Sequence, residues 1–125
     1  MSYRKGASLE YRVKDELEKQ GFLVIRSAGS HGVADLVAIK RESTIIPFPK
    51  YWTRVRLVQV SYNPKPINDI EKLVETCRNV NAEPMIVFTK KVNARKHSKR
   101  TMIMLVGGEV LSYLERKGLK TTAGR

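Results

Sequence analysis

Glu10, Asp35, Gln59 and Ser61 are the polar residues whose positions suggest chemistry at a phosphate. Asp35 lies in the apolar run Ala34–Ile39, directly after the small segment Ser27-Ala28-Gly29-Ser30-His31-Gly32. A carboxylate at a strand end beside a glycine-bearing loop offers a divalent cation hard oxygen ligands and leaves a phosphate room to approach the backbone. An aspartate that merely turns the chain would look the same. Glu10 falls one residue past Leu9 and three before Val13, at the margin of an apolar helical face and therefore near any sheet beneath it. The plainer reading pairs Glu10 with Lys14, one turn on. Val55, Leu57, Gln59 and Ser61 alternate onto one side of a strand, so a polar pair follows an apolar pair at its far end. If Gln59 lies next to Asp35, its side-chain carbonyl could join Asp35, Glu10 and the backbone carbonyl of Val60 around Mg²⁺ or Mn²⁺. A glutamine hydrogen-bonded at a sheet end is the alternative. His31 could act as a base or contact phosphate, although a solvent-facing loop histidine fits the same position.

The elements that must position these residues are legible from periodicity. Leu9, Val13 and Leu17 recur at helical spacing between Ala7 and Gln20, with Gly21 where a C-terminal cap would stand. Three short runs rich in β-branched residues follow, Phe22–Arg26, Ala34–Ile39 and Val55–Val60, and read as strands. Arg41–Trp52 contains Pro47 and Pro49 among Phe48, Tyr51 and Trp52, and reads as a long irregular connection. Those aromatics could serve a dimer surface, DNA contact or the core. After the turn Asn63-Pro64-Lys65-Pro66, the stripe Ile67, Ile70, Leu73, Val74 and Cys77 marks a second helix. Met85–Phe88 and Met102–Val106 read as two more strands, before a mixed helical segment from Val110 to Arg116 and a loose tail after Leu119. This order predicts an α/β fold with a mixed five-stranded sheet flanked by helices, because the central runs are apolar on both faces.

The 125 residues suit one domain, expected over 1–120, with 121–125 as a flexible tail. Twenty-four Lys and Arg against twelve Asp and Glu leave a formal charge of +12, which favours a polyanionic partner, nucleic acid first. Lys90, Lys91, Arg95, Lys96, Lys99 and Arg100 lie between the last two strands with no acidic residue among them, as a phosphate-tracking loop requires. The single cysteine, Cys77, excludes an internal disulfide and any multi-cysteine zinc site, and its place in an apolar stripe suggests packing. With no membrane-length apolar run and no apolar leader at the start, a cytoplasmic protein is expected.

The ordered set Arg4-Lys5-Gly6, Glu10, Gly21-Phe22, Arg26-Ser27, Gly32, Asp35-Leu36-Val37-Ala38 and Val58-Gln59-Val60-Ser61 resembles the archaeal Holliday junction resolvases, within the PD-(D/E)xK nuclease superfamily. The likeness is close over the first half of the chain and rests on element order and basic character in the second. It implies a restriction-endonuclease-like fold and a Mg²⁺- or Mn²⁺-dependent endodeoxyribonuclease. It also implies a homodimer whose two sites cut opposing strands of a four-way junction or other branched duplex. By motif, Glu10 and Asp35 match the acidic ligands, Ser30 the serine of a mobile loop that contributes to cleavage, and Arg4 and Lys5 a DNA-contacting N-terminus. Arg26, His31 and Lys65 join the basic tracts as expected DNA contacts.

The chain departs from this pattern at Gln59-Val60-Ser61, where the family usually has Glu-x-Lys. A neutral serine hydroxyl cannot fully replace an ammonium that positions water and balances charge at a scissile phosphate. Either another lysine reaches in, with Lys65 nearest along the chain, or cleavage is slow or absent. The alternative function is accordingly a catalytically impaired resolvase-like protein that binds junctions. An RNA-binding role is a third reading, since charge does not separate DNA from RNA and Trp52 would suit stacking on single strands.

Overall fold

In the computed structural model, the described residues are 2–27, 32–92 and 99–119, with side chains described from residue 8 through residue 117. The elements in chain order are α1 (Ser2–Lys19), β1 (Leu23–Arg26), β2 (Leu36–Thr44), β3 (Lys50–Val60), α2 (Ile67–Val80), β4 (Glu83–Val92), β5 (Lys99–Val106) and α3 (Gly108–Leu114), which continues into a π-helical turn, Glu115–Leu119. The strands form one sheet in the order β1-β2-β3-β4-β5. β3 and β4 are parallel, joined through α2, and the other three pairings are antiparallel. The expected mixed five-stranded sheet flanked by helices is therefore present.

The alternation of side chains along the strands divides the core in two. Leu9, Val13 and Leu17 of α1 pack on Val24, Leu36, Ala38, Val58 and Val60. On the opposite face, Ile70, Leu73 and Cys77 of α2 pack with Ile86 and Phe88, and α3 adds Val110, Tyr113 and Leu114. β3 and β4 are thus sandwiched, which explains their apolar runs on both faces. Gly21 ends the first helix at φ 98°, a conformation that suits glycine, and its N–H donates to the carbonyl of Glu18. Asn81 ends α2 in the left-handed conformation, with its own N–H returned to Cys77.

The structure corrects three boundary expectations. Arg41–Trp52 is not an irregular connection, because β2 and β3 pair from Leu36↔Val58 out to Thr44↔Lys50 and only residues 45–49 form the turn. The prolines punctuate that turn, while Tyr51, Trp52 and Thr53 are strand formers. Phe48, Tyr51 and Trp52 are all exposed, so the core is not their role. The basic tract is likewise not simply a loop: Lys90 and Lys91 belong to β4, Lys99 and Arg100 to β5, and Lys91 pairs with Arg100. Finally, α1 starts at Ser2 and not Ala7, which places Arg4 and Lys5 on its first turn.

Candidate active site

Asp35 lies where the sheet's ladder runs out. β2 begins at Leu36, opposite Val58, so the amide of Val60 further along β3 has no strand carbonyl to meet. The Asp35 carboxylate takes that role, its Oδ2 accepting the Val60 N–H at 2.8 Å, while the Asp35 backbone N–H donates to Val58 at 2.8 Å. This arrangement holds a nearly buried carboxylate at the end of the two central antiparallel strands.

Gln59 is buried beside it on the face that meets α2. Its Nε2 donates to the carbonyls of Val33 at 2.9 Å and Asp69 at 3.0 Å, tying the chain before Asp35 to the first turn of α2. Its Oε1 is buried and has no hydrogen-bond partner among the described residues. An unpartnered buried carbonyl costs free energy, so this oxygen is poised to accept. A cavity of about 10 Å³, close to the space of one water molecule, lies among Gln59, Ser61, Lys65, Ile70 and Phe88.

Lys65 closes the site from the loop after β3. Its Nζ is 3.8 Å from Asp35 Oδ2, and its side chain is partly shielded. Two constraints direct it there. Pro64 and Pro66 flank it, and a residue preceding proline is held in extended conformations. The loop itself is pinned to the sheet: Ser61 N–H donates to Val87, and both the N–H and the hydroxyl of Thr89 donate to Tyr62. Arg100 completes the clamp, donating to Thr89 Oγ1 and Asn63 Oδ1, both at 2.7 Å, with its guanidinium 4.2 Å from the centre of the Tyr62 ring. Ser61, which stands where the family carries lysine, spends its hydroxyl on the carbonyl of Asn63.

Glu10 does not pair with Lys14, whose ammonium instead meets Glu18 at 2.8 Å. Arg26 reaches across from β1, its Nη2 3.0 Å and its Nε 3.3 Å from Glu10 Oε1, and its guanidinium lies over Tyr11. Two of the expected DNA contacts, Arg26 and Arg100, thus have internal partners that the sequence did not reveal. Ser30, His31, Arg95 and Lys96 lie outside the described residues, as do the side chains of Arg4 and Lys5. Among the described residues no cluster of three or more His, Cys, Asp or Glu is present. The Asp35 carboxylate and the Gln59 side-chain carbonyl are hard oxygens of the kind Mg²⁺ or Mn²⁺ prefers, so their chemistry fits such an ion, while Glu10 is paired with Arg26.

Comparison with known proteins identifies the family. Residues 1–104 match the family described as archaeal Holliday junction resolvase (Hjc), and the chain belongs to that family. The crossover junction endodeoxyribonuclease Hjc of Methanocaldococcus jannaschii is 40% identical over 86 residues, which is 69% of this chain and 59% of that protein. The chain thus spans about three fifths of the curated relative it matches. A solved structure of Archaeoglobus fulgidus Hjc, a Holliday junction resolvase from an archaeal hyperthermophile, is similar at 21% identity with a TM-score of 0.47, over 79% of this chain and 83% of that one.

Proposed function

We propose that this chain is a divalent-metal-dependent, structure-selective endodeoxyribonuclease that binds and cleaves branched DNA such as four-way junctions. The observation that carries the reading is the approach of the Lys65 ammonium to Asp35 beside Gln59, which returns a cation to a site whose strand position holds only Ser61. Asp35, Gln59, the backbone carbonyl of Val60 and, on the first helix, Glu10 would hold Mg²⁺ or Mn²⁺. Such an ion supplies Lewis acidity at the phosphate and lowers the pKa of a bound water. Asp35 fixes the end of β3, Gln59 offers its free carbonyl inward, and Lys65 balances negative charge where a phosphate would enter.

Ser30, by the family resemblance, and His31, both of which precede Asp35 in the sequence, join the proposed site. Arg4, Lys5 and the basic tract with Lys90, Lys91, Arg95, Lys96 and Lys99 supply phosphate contacts that follow DNA shape more than base sequence. The reading takes 1–120 as one nuclease domain followed by a short tail, in a cytoplasmic protein. It also takes two copies as the working unit, one for each strand cut; Leu23 and Ile25 are exposed on the sheet face that α2 and α3 leave open, where a second copy could pack.

A second reading is favoured by the engaged hydroxyl of Ser61 and the neutral amide at Gln59: a junction-binding protein without cleavage. Incubating the protein with end-labelled four-way junction and matched duplex, with Mg²⁺, with Mn²⁺ and with chelator, separates the two. Paired metal-dependent nicks in the junction that vanish in Asp35→Asn support the nuclease. Tight junction binding with no nick under either metal supports the binding protein.

A further inference from the structure

The β2–β3 hairpin ends in a feature that the proposed catalytic site does not use. Ile45, Ile46 and Phe48 at its turn are 74%, 79% and 74% exposed, and Tyr51 and Trp52 just below are also exposed. Scattered apolar residues on a surface need no explanation, but five large ones within eight positions on one projection do. Its charges are one-sided. Arg54 is occupied by Glu42 and Glu83, at 3.0 and 3.2 Å, which leaves Lys40, Arg41 and Lys50 without an ion pair among the described residues. Arg41 lies over the Tyr51 ring at 4.9 Å, so the cation and the aromatic face form one platform.

We propose that this hairpin tip is a DNA wedge, inserting Phe48 and Ile46 at an unstacked base step of branched DNA while Arg41 and Lys50 hold the neighbouring phosphates. Ile, Phe and Pro are the side chains with which proteins open base steps, and aromatic faces accept any base. A second copy of the chain is a poorer occupant of this tip, because its surplus of positive charge would meet Arg41 and Lys50, which have no ion pair among the described residues. The geometry also suits DNA. β3 runs from Lys50, beside the turn, to the catalytic end at Gln59, which at 3.3 Å per residue is roughly 30 Å. With the turn added, the tip stands about one B-DNA turn, roughly 34 Å, from the proposed point of scission, and so meets the same side of a duplex. The inference takes its DNA partner from the function proposed above, but it concerns a separate surface.

Four-way junctions carrying 2-aminopurine at successive positions near ten base pairs from the cut test it, with fluorescence and affinity read on the same samples. One position should brighten on binding. Phe48→Ala should abolish that signal and weaken junction binding by roughly 5- to 150-fold, the range for loss of one stacked base. Phe48→Trp should restore both, and Ile46→Ser should give a weaker version of the loss; both sites are exposed, so unchanged melting curves confirm the fold. Lys50→Ala should instead lower the salt slope of binding by about one, while Phe48→Ala leaves that slope unchanged. No brightening at any position overturns the wedge. So does a Phe48→Ala protein that binds as tightly as the parent, one whose sedimentation mass halves, or one that loses only its affinity for anionic vesicles. If the parent neither binds nor cuts junctions, the proposed function has failed; if it does both and the variant matches it, only the wedge has.

Discussion

Replacing Lys65 with methionine should change metal binding and cleavage in opposite directions. Its ammonium lies 3.8 Å from Asp35 Oδ2 with the side chain 32% exposed. Two unit charges at that separation interact by about 1 kcal/mol in water and about 4 kcal/mol at an effective dielectric of 20. Partial exposure selects the lower part of that range, about 1–2 kcal/mol. In the absence of an added ion, Lys65 competes for the carboxylate that a metal would use, so Lys65→Met should tighten Mn²⁺ binding by roughly 5- to 30-fold. Cleavage should fall by about a hundredfold to a thousandfold, the usual loss when one preorganised charge donor leaves a phosphate or oxyanion site. Free Mn²⁺ counted by electron paramagnetic resonance and single-turnover nicking of a labelled junction read the two quantities on one preparation. A lysine that only braces its loop would weaken both together. That result, or cleavage at the parent rate, would refute the reasoning.

Other outcomes follow from the same structure. In the Lys65→Met background, Ser61→Lys should recover at least a tenth of parental nicking, because it restores an ammonium to the strand position; recovery is scored on the same gels. Burial alone would push the Glu83 carboxyl up, but the guanidiniums of Arg54 and Arg56 outweigh it and hold the group below its ordinary range. A carboxylate with a depressed folded pKa stabilises above its unfolded value and loses that contribution as pH falls. Glu83→Gln should therefore cost about 1–3 kcal/mol near neutrality, a loss that narrows below pH ~4.5 in melting curves, with the nearly buried Arg56 the main casualty. Cys77 is buried on the inner face of α2, and burial pushes its thiol up to about 11. It should resist a thiol reagent at pH 8 in the folded protein, react fully in denaturant, and lower stability progressively as pH rises from about 9 towards 11.

Much of the frame was readable because core positions repeat with the period of their element. Leu9, Val13 and Leu17 declared a helix, and Leu57 with Val58 a strand sandwiched on both sides. Asp35 was readable as well, since a carboxylate next to an apolar run must do something local, and here it caps the Val60 amide. The long hairpin was misjudged because Pro47 and Pro49 weighed against strand, although proline forbids only the paired interior and both fall in the turn. The strand propensity of Tyr51-Trp52-Thr53 was the neglected signal. The partners of Glu10 and Arg100 were out of reach, because Arg26 lies sixteen residues from the one and Asn63 thirty-seven from the other. A single sequence shows which side chains can bond, but not which distant elements the sheet order makes neighbours.

The loop origin of the Lys65 ammonium has a consequence for reading genomes. Spacing along a strand is a one-dimensional record, whereas an aspartate responds only to the charge that stands near it. In this chain serine occupies the strand position at 61, and Lys65, in the turn beyond it, holds a positive charge within 4 Å of Asp35. A scan that scores Glu-x-Lys would discard such a chain as inactive, while one that scores three-dimensional charge would retain it. The charge an aspartate meets is thus set by what stands near it in space and not by spacing along the strand.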